Sequence, residues 1–107
     1  MGPVDAFLAA QQWLFEAAVQ QWPVLRSLGL QRVSVNLSTR DLLDPELPEK
    51  LATILSRHRA PAAAFCLEIT ESMIMEEPQR AEATLNRLAA AGFKLSIDDY
   101  GTGHSSL

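Results

Sequence analysis

Apolar residues recur along the first quarter of the chain at Val4, Leu8, Phe15, Ala18, Trp22 and Leu25, in steps of three, four and seven. That spacing predicts one face of an amphipathic helix, which Trp13 and Leu14 widen. Pro3 suits its first turn, and Asp5 complements the positive end of its dipole. Pro23, which lacks an N–H and crowds the turn before it, is expected to end or kink this helix near Trp22, with Gly29 as the stop. The tryptophans read as packing residues. From Arg32 to Leu37 the pattern changes to alternation in a β-rich run, the mark of a strand. Ser38-Thr39-Arg40-Asp41 has the spacing of a capped turn.

The same sequence of patterns repeats. A second helix opens at Asp44-Pro45-Glu46 or Leu47-Pro48-Glu49, carries the stripe Leu47, Leu51, Ile54 and Leu55, and stops before Pro61. His58 falls in its last turn, where a cation is favoured, and reads as a surface residue. Phe65 to Thr70 is a second strand. Glu77-Pro78 opens a third helix with Ala81, Leu85, Leu88 and Ala89 inward and Gly92 as its C-cap, and Phe93 leads into a third strand. The order α-β-α-β-α-β predicts an α/β fold with parallel strands joined by right-handed crossovers.

Alternation along each strand separates two faces. Val33, Val35 and Leu37 oppose Ser34 and Asn36. Phe65, Leu67 and Ile69 oppose Cys66, Glu68 and Thr70. Leu95 and Ile97 oppose Ser96 and Asp98. In simple register, Ser34, Cys66 and Ser96 form one layer, and Asn36, Glu68 and Asp98 form the next, toward the C-terminal ends. Carboxylates on an interior face are costly unless paired or metal-bound, and the strands bring no arginine there, with Lys94 only at a strand's start. Oxygen-only donors suit a hard divalent cation rather than zinc. Parallel α/β sheets place their sites at the C-terminal strand ends. Asp99 has the opposite phase, but it can turn inward at the strand end and serve a second metal in a phosphate-cleaving centre. Gly101-Thr102-Gly103-His104-Ser105-Ser106 approximates a dinucleotide fingerprint but lacks its third glycine. Gly103 to Leu107 lacks the last glycine of a nucleophile elbow. His104 is expected on a flexible loop.

Composition narrows the picture. At 107 residues, nearly half of them hydrophobic, the chain has the size of one small globular domain. A net charge of −4 offers no basic face for DNA or RNA. The lone Cys66 excludes a disulfide framework and reads as a buried, inert thiol, in keeping with a reducing compartment. No apolar run approaches the roughly 20 residues that span a bilayer, and the N-terminus lacks the basic and apolar regions of a signal peptide. A cytoplasmic location is expected, although a parent protein can be membrane-anchored elsewhere.

Three stretches carry a family resemblance. Val35-Asn36-Leu37-Ser38, Leu67-Glu68-Ile69-Thr70-Glu71-Ser72 and Ile97-Asp98-Asp99-Tyr100-Gly101-Thr102-Gly103-His104-Ser105-Ser106-Leu107 resemble, in order and spacing, three successive motifs of the EAL domain family. These are bacterial phosphodiesterases that hydrolyse cyclic di-GMP to pGpG. The last motif is highly specific. It departs mildly at Tyr100, where Phe is usual, and at His104, where Tyr is frequent.

The resemblance implies a TIM-like (β/α) barrel with one antiparallel strand and a centre of two Mg2+ or Mn2+ ions. By position, Asn36, Glu68 and Asp98 resemble metal ligands, and Asp99 resembles a ligand to the second metal. Glu71 resembles the glutamate that anchors the loop after the Asp-Asp strand. In the family that loop, with Gly101, Thr102, Gly103, Ser105 and Ser106 here, is tied to substrate-dependent metal binding and to dimerisation.

The family's Glu-Ala-Leu motif is expected upstream of Met1, and its activating lysine, closing strands and helices beyond Leu107. Residues 1–107 are therefore expected to be a partial EAL-like domain, an incomplete barrel that is inactive alone. Its exposed sheet edges predict a homo-oligomer or completion of the sheet by another chain. Cyclic di-GMP is the expected partner. A non-catalytic binding, regulatory or dimerisation module is the alternative, and a flavodoxin-like domain that echoes the motif is a third reading.

Overall fold

Three short apolar strands set the architecture: β1 (Val33–Asn36), β2 (Phe65–Thr70) and β3 (Lys94–Asp99). They lie side by side in that order, and both pairings are parallel. Parallel neighbours need long crossovers, and helices supply them. α1 (Pro3–Ser27) precedes β1. α2 (Thr39–Leu42) and α3 (Leu47–His58) join β1 to β2, with a 3₁₀ turn at Ala62–Ala64. α4 (Glu71–Glu76) and α5 (Pro78–Ala90) join β2 to β3. A two-residue strand, β4 (His104–Ser105), runs antiparallel to β3, with Asp98 opposite Ser105 and Asp99 opposite His104. The structure is a computed structural model that describes residues 3–99 and 104–105, with side chains over 14–98.

The expected alternation of helices and strands holds, with two short helices and β4 in addition. Each short helix has a local cause. Ser38 closes a reciprocal capping box with Asp41 ahead of α2. The Thr70 hydroxyl accepts the Met73 N–H at 3.3 Å and starts α4 at the end of β2. The backbone of His104 belongs to β4 rather than to a loop.

Of the two outcomes expected at Pro23, an end or a kink, the structure excludes the end: α1 continues through it to Ser27. The ring is exposed, and Trp22 before it and Leu25 after it still reach the core. Leu14, by contrast, is exposed and does not widen the buried face. The helix then stops at Gly29, whose φ of +95° favours glycine. The Gly29 N–H bonds to Arg26 and the Leu30 N–H to Leu25, a Schellman closure. α5 ends the same way at Gly92, with the Phe93 N–H on the Leu88 carbonyl.

All the helices share one core with one face of the sheet. Phe65, Leu67 and Ile69 are buried against Leu51, Ile54 and Leu55 of α3, Ala81, Leu85 and Leu88 of α5, and Phe15, Val19 and Trp22 of α1. Ala89, expected inward on α5, is exposed. Phe65 anchors an aromatic cluster, its ring centroid 5.8 Å from Phe15 and 6.0 Å from Trp22. Full burial of each such side chain contributes about 1.5–3 kcal/mol. His58 sits in the last turn of α3, as expected, and meets Glu16 of α1 at 2.9 Å. Among the described residues, no helix is long and apolar enough to cross a membrane.

Candidate functional site

The sheet face away from the helices opens into a cleft of about 370 Å³ at the C-terminal strand ends. Its walls are Asn36 and Leu37 from the end of β1, Glu68, Ile69 and Thr70 from β2, and Ser96 and Asp98 from β3. The expected donors Asn36, Glu68 and Asp98 thus line one cavity. Asn36 and Asp98 are exposed and Glu68 is half-buried.

The register differs from the expected layering. Ser34 pairs with Cys66 and Asn36 with Glu68, as anticipated. On β3, however, Lys94 pairs with Cys66, Ser96 with Glu68, and Asp98 with Thr70. The third strand is advanced by one pleat. Strands that tilt toward barrel closure stagger in this way, and a shift of two residues leaves every side chain on its original face. Asp98 therefore stands diagonally beyond Glu68, with the two Cα atoms about 8 Å apart from ordinary strand spacings. Lys94 sits two pleats below Asp98 on the same strand, away from the cleft.

Two backbone features hold the first donor in place. The Leu37 N–H donates to the Glu68 carbonyl at 3.1 Å, tying the exit of β1 to β2. One residue on, the Ser38 N–H donates to Asp41 Oδ2 at 3.3 Å, and the Asp41 N–H returns a bond to Ser38 Oγ at 3.1 Å. The connection from α2 to α3 is clamped by α5. Arg80 donates to the Leu43 carbonyl at 2.8 Å and Arg87 to the Pro45 carbonyl at 2.7 Å, and Arg87 also pairs with Glu49.

The donor chemistry fits a hard divalent cation. The polar groups of the cleft are one amide, two carboxylates and two hydroxyls. None of its described walls is lysine, arginine or histidine, so no fixed cation neutralises the carboxylates. The set is sparse, since no three His, Cys, Asp or Glu side chains cluster for a metal among the described residues. Thr70 and Ser96 were not singled out from the sequence, although their strand phase already places them on this face. Asp41, 6% exposed, was also missed as a buried charge.

The remaining expected residues divide by position. Glu71 opens α4, directly after Thr70 of the cleft wall. The backbones of Asp99 and Ser105 belong to β3 and β4. Gly101, Thr102, Gly103 and Ser106 lie outside the described residues. Cys66 is buried on the cleft-side phase of β2, one pleat below Glu68.

Known proteins share this fold. The family model of the EAL domain matches residues 6–107. An uncharacterised protein of Azorhizobium caulinodans is 38% identical over 101 residues, covering 89% of this chain. The bifunctional diguanylate cyclase/cyclic di-GMP phosphodiesterase MucR of Pseudomonas aeruginosa is 33% identical over 98 residues, covering 90%. The chain spans 14% of the length of each of these two relatives. Among solved structures, the PaMucR phosphodiesterase in complex with c-di-GMP superposes with a TM-score of 0.83 at 30% identity, over 96% of this chain and 42% of that one.

Proposed function

This chain belongs to the EAL domain family, and from its cleft we propose that it supplies the Asn-Glu-Asp wall of a metal-dependent cyclic di-GMP phosphodiesterase. One observation carries the reading: three strands present Asn36, Glu68 and Asp98 to a single cleft with no basic side chain among its described walls. The relative MucR, named for cyclic di-GMP phosphodiesterase activity, and its structure in complex with c-di-GMP support the choice of substrate.

In this reading Asn36, Glu68 and Asp98 hold Mg2+ or Mn2+. Asp99 serves a second ion, and Glu71 orders the loop that contains Gly101, Thr102, Gly103, Ser105 and Ser106. When bound, such ions polarise a phosphodiester and lower the pKa of water. The chain's own part is positional. Asn36 presents a neutral amide oxygen, the two carboxylates supply charge, and Thr70 and Ser96 offer hydroxyls between them. Three carboxylates and one amide are too few to hold two ions, so the segment acts within a complete barrel and has no appreciable turnover alone. The cyclic dinucleotide is its partner, and the open sheet edges of this segment are covered either by the rest of the barrel or by a further copy.

The test is chromatography of cyclic di-GMP incubated with the complete protein and Mg2+ or Mn2+. Conversion to pGpG that disappears in Asp98→Ala is the expected result. Metal binding with intact cyclic di-GMP would reject catalysis. Nucleotide binding without metal or cleavage would identify a regulatory module instead.

A further inference from the structure

Asn36 and Leu37 line two cavities. One is the cleft, and the other is a small apolar void behind it, bounded also by Phe15, Val35, Asp41, Leu47 and Leu51. Asp41 thus lines the same void as Asn36, and does not line the cleft. A carboxylate in this place is costly, because its neighbours are apolar and it is 6% exposed. It makes no ion pair among the described residues. Lys50, whose ammonium feels its charge, is engaged by Asp44 at 2.7 Å. The one described polar contact of its side chain is with the Ser38 N–H.

Ser38 follows the Asn36 peptide by a single residue. Leu37 between them is fixed at its own N–H by the Glu68 carbonyl. The two bonds together fix the backbone on the C-terminal side of Asn36. Resting on the cation reading above, we propose that Asp41 is a positioning residue: its hydrogen bond to the Ser38 N–H holds the exit of β1 so that the Asn36 amide oxygen faces the cation. The other arm of the capping box, Ser38 Oγ accepting the Asp41 N–H, serves the helix end alone. Groups hydrogen-bonded to a metal ligand typically change affinity by about 10–100-fold when removed, and Asp41, one bond farther out, is expected at the low end of that range.

The two arms can be cut separately. Mn2+ affinity is measured by calorimetry on the complete protein, with thermal melting alongside. Asp41→Ala removes the arm to the Ser38 N–H and is expected to weaken Mn2+ binding about tenfold or more. Asp41→Asn keeps an acceptor oxygen and should stay within about threefold of wild type. Ser38→Ala removes only the helix-end arm and should lower the melting temperature while leaving Mn2+ affinity unchanged. Asp41→Val, closer in number of side-chain heavy atoms, replaces the alanine variant if that one does not fold.

Wild-type affinity in Asp41→Ala, with loss in Asn36→Ala, overturns the positioning role alone. Wild-type affinity in both overturns the cation reading itself. A loss in Ser38→Ala equal to that in Asp41→Ala reduces the box to a helix cap. A loss in Asp41→Asn equal to that in Asp41→Ala assigns the effect to charge and overturns positioning.

Discussion

Within the six residues of β2, Phe65, Leu67 and Ile69 pack into the helix-covered core, while Cys66, Glu68 and Thr70 have the opposite phase, and Glu68 and Thr70 line the cleft. The first set is 0–1% exposed and joins a core shared by three long helices. The second includes a half-buried carboxylate that has no basic group beside it in the described cleft. A strand's two-residue period thus assigns stability to one face and chemistry to the other, residue by residue. The same division runs through β1 and β3, where Val35 and Ile97 pack against the core while Asn36 and Asp98 line the cleft.

The sharpest way to break this division is to compare substitutions on the two faces. Phe65→Ala removes a fully buried ring from contact with Phe15 and Trp22 and should cost about 3–5 kcal/mol in urea unfolding. Glu68→Gln, three positions on and facing the cleft, should stay within about 0.5 kcal/mol of wild type while weakening Mn2+ binding. A comparable stability loss in both would show that the cleft face also carries the fold.

Thr70 tests the border between the two roles, since it lines the cleft and also caps α4. Thr70→Val keeps a β-branched side chain but loses the bond to the Met73 N–H. It should cost about 1 kcal/mol in thermal melting. No change would mean that α4 is held by Met73 packing alone.

The smallest effect lies far from the cleft, where α1 meets α3. Hydrogen bonds from His58 and then Arg57 hold the Glu16 carboxyl below the usual carboxylate range. A depressed folded value means that the unfolded chain takes up a proton first as pH falls. The stabilisation is therefore complete above the unfolded carboxylate value of about 4.3 and is lost as pH drops through the folded value. Stability against pH, measured for wild type and Glu16→Gln, should differ at neutral pH and converge in acid. Parallel curves would show that the link contributes nothing.

Much of this was legible in local pattern. Alternation located all three strands and their faces, Ser38 and Asp41 had the spacing of a capping box, and Glu77-Pro78 marked the start of α5. What was not legible depends on distant parts of the chain. The one-pleat advance of β3 is set by how the strands tilt against each other, and no residue of Lys94–Asp99 encodes it. Pro23 has the same effect in any helix, but here Trp22 and Leu25 anchor the turns on either side of it. α4 is six residues long and buries Met73 alone, too little to leave a periodic stripe. The burial of Asp41 depends on distant elements: the void it lines is walled by Phe15 of α1 and by Leu47 and Leu51 of α3.

The central claim is that Asn36, Glu68 and Asp98, from three strands, act on one divalent cation. Calorimetric titration of Mn2+ into the complete protein and into Asn36→Ala, Glu68→Gln and Asp98→Ala tests it directly. Each variant is predicted to weaken the same binding event by more than about tenfold, with unfolding midpoints close to wild type. Wild-type Mn2+ affinity in all three would contradict it.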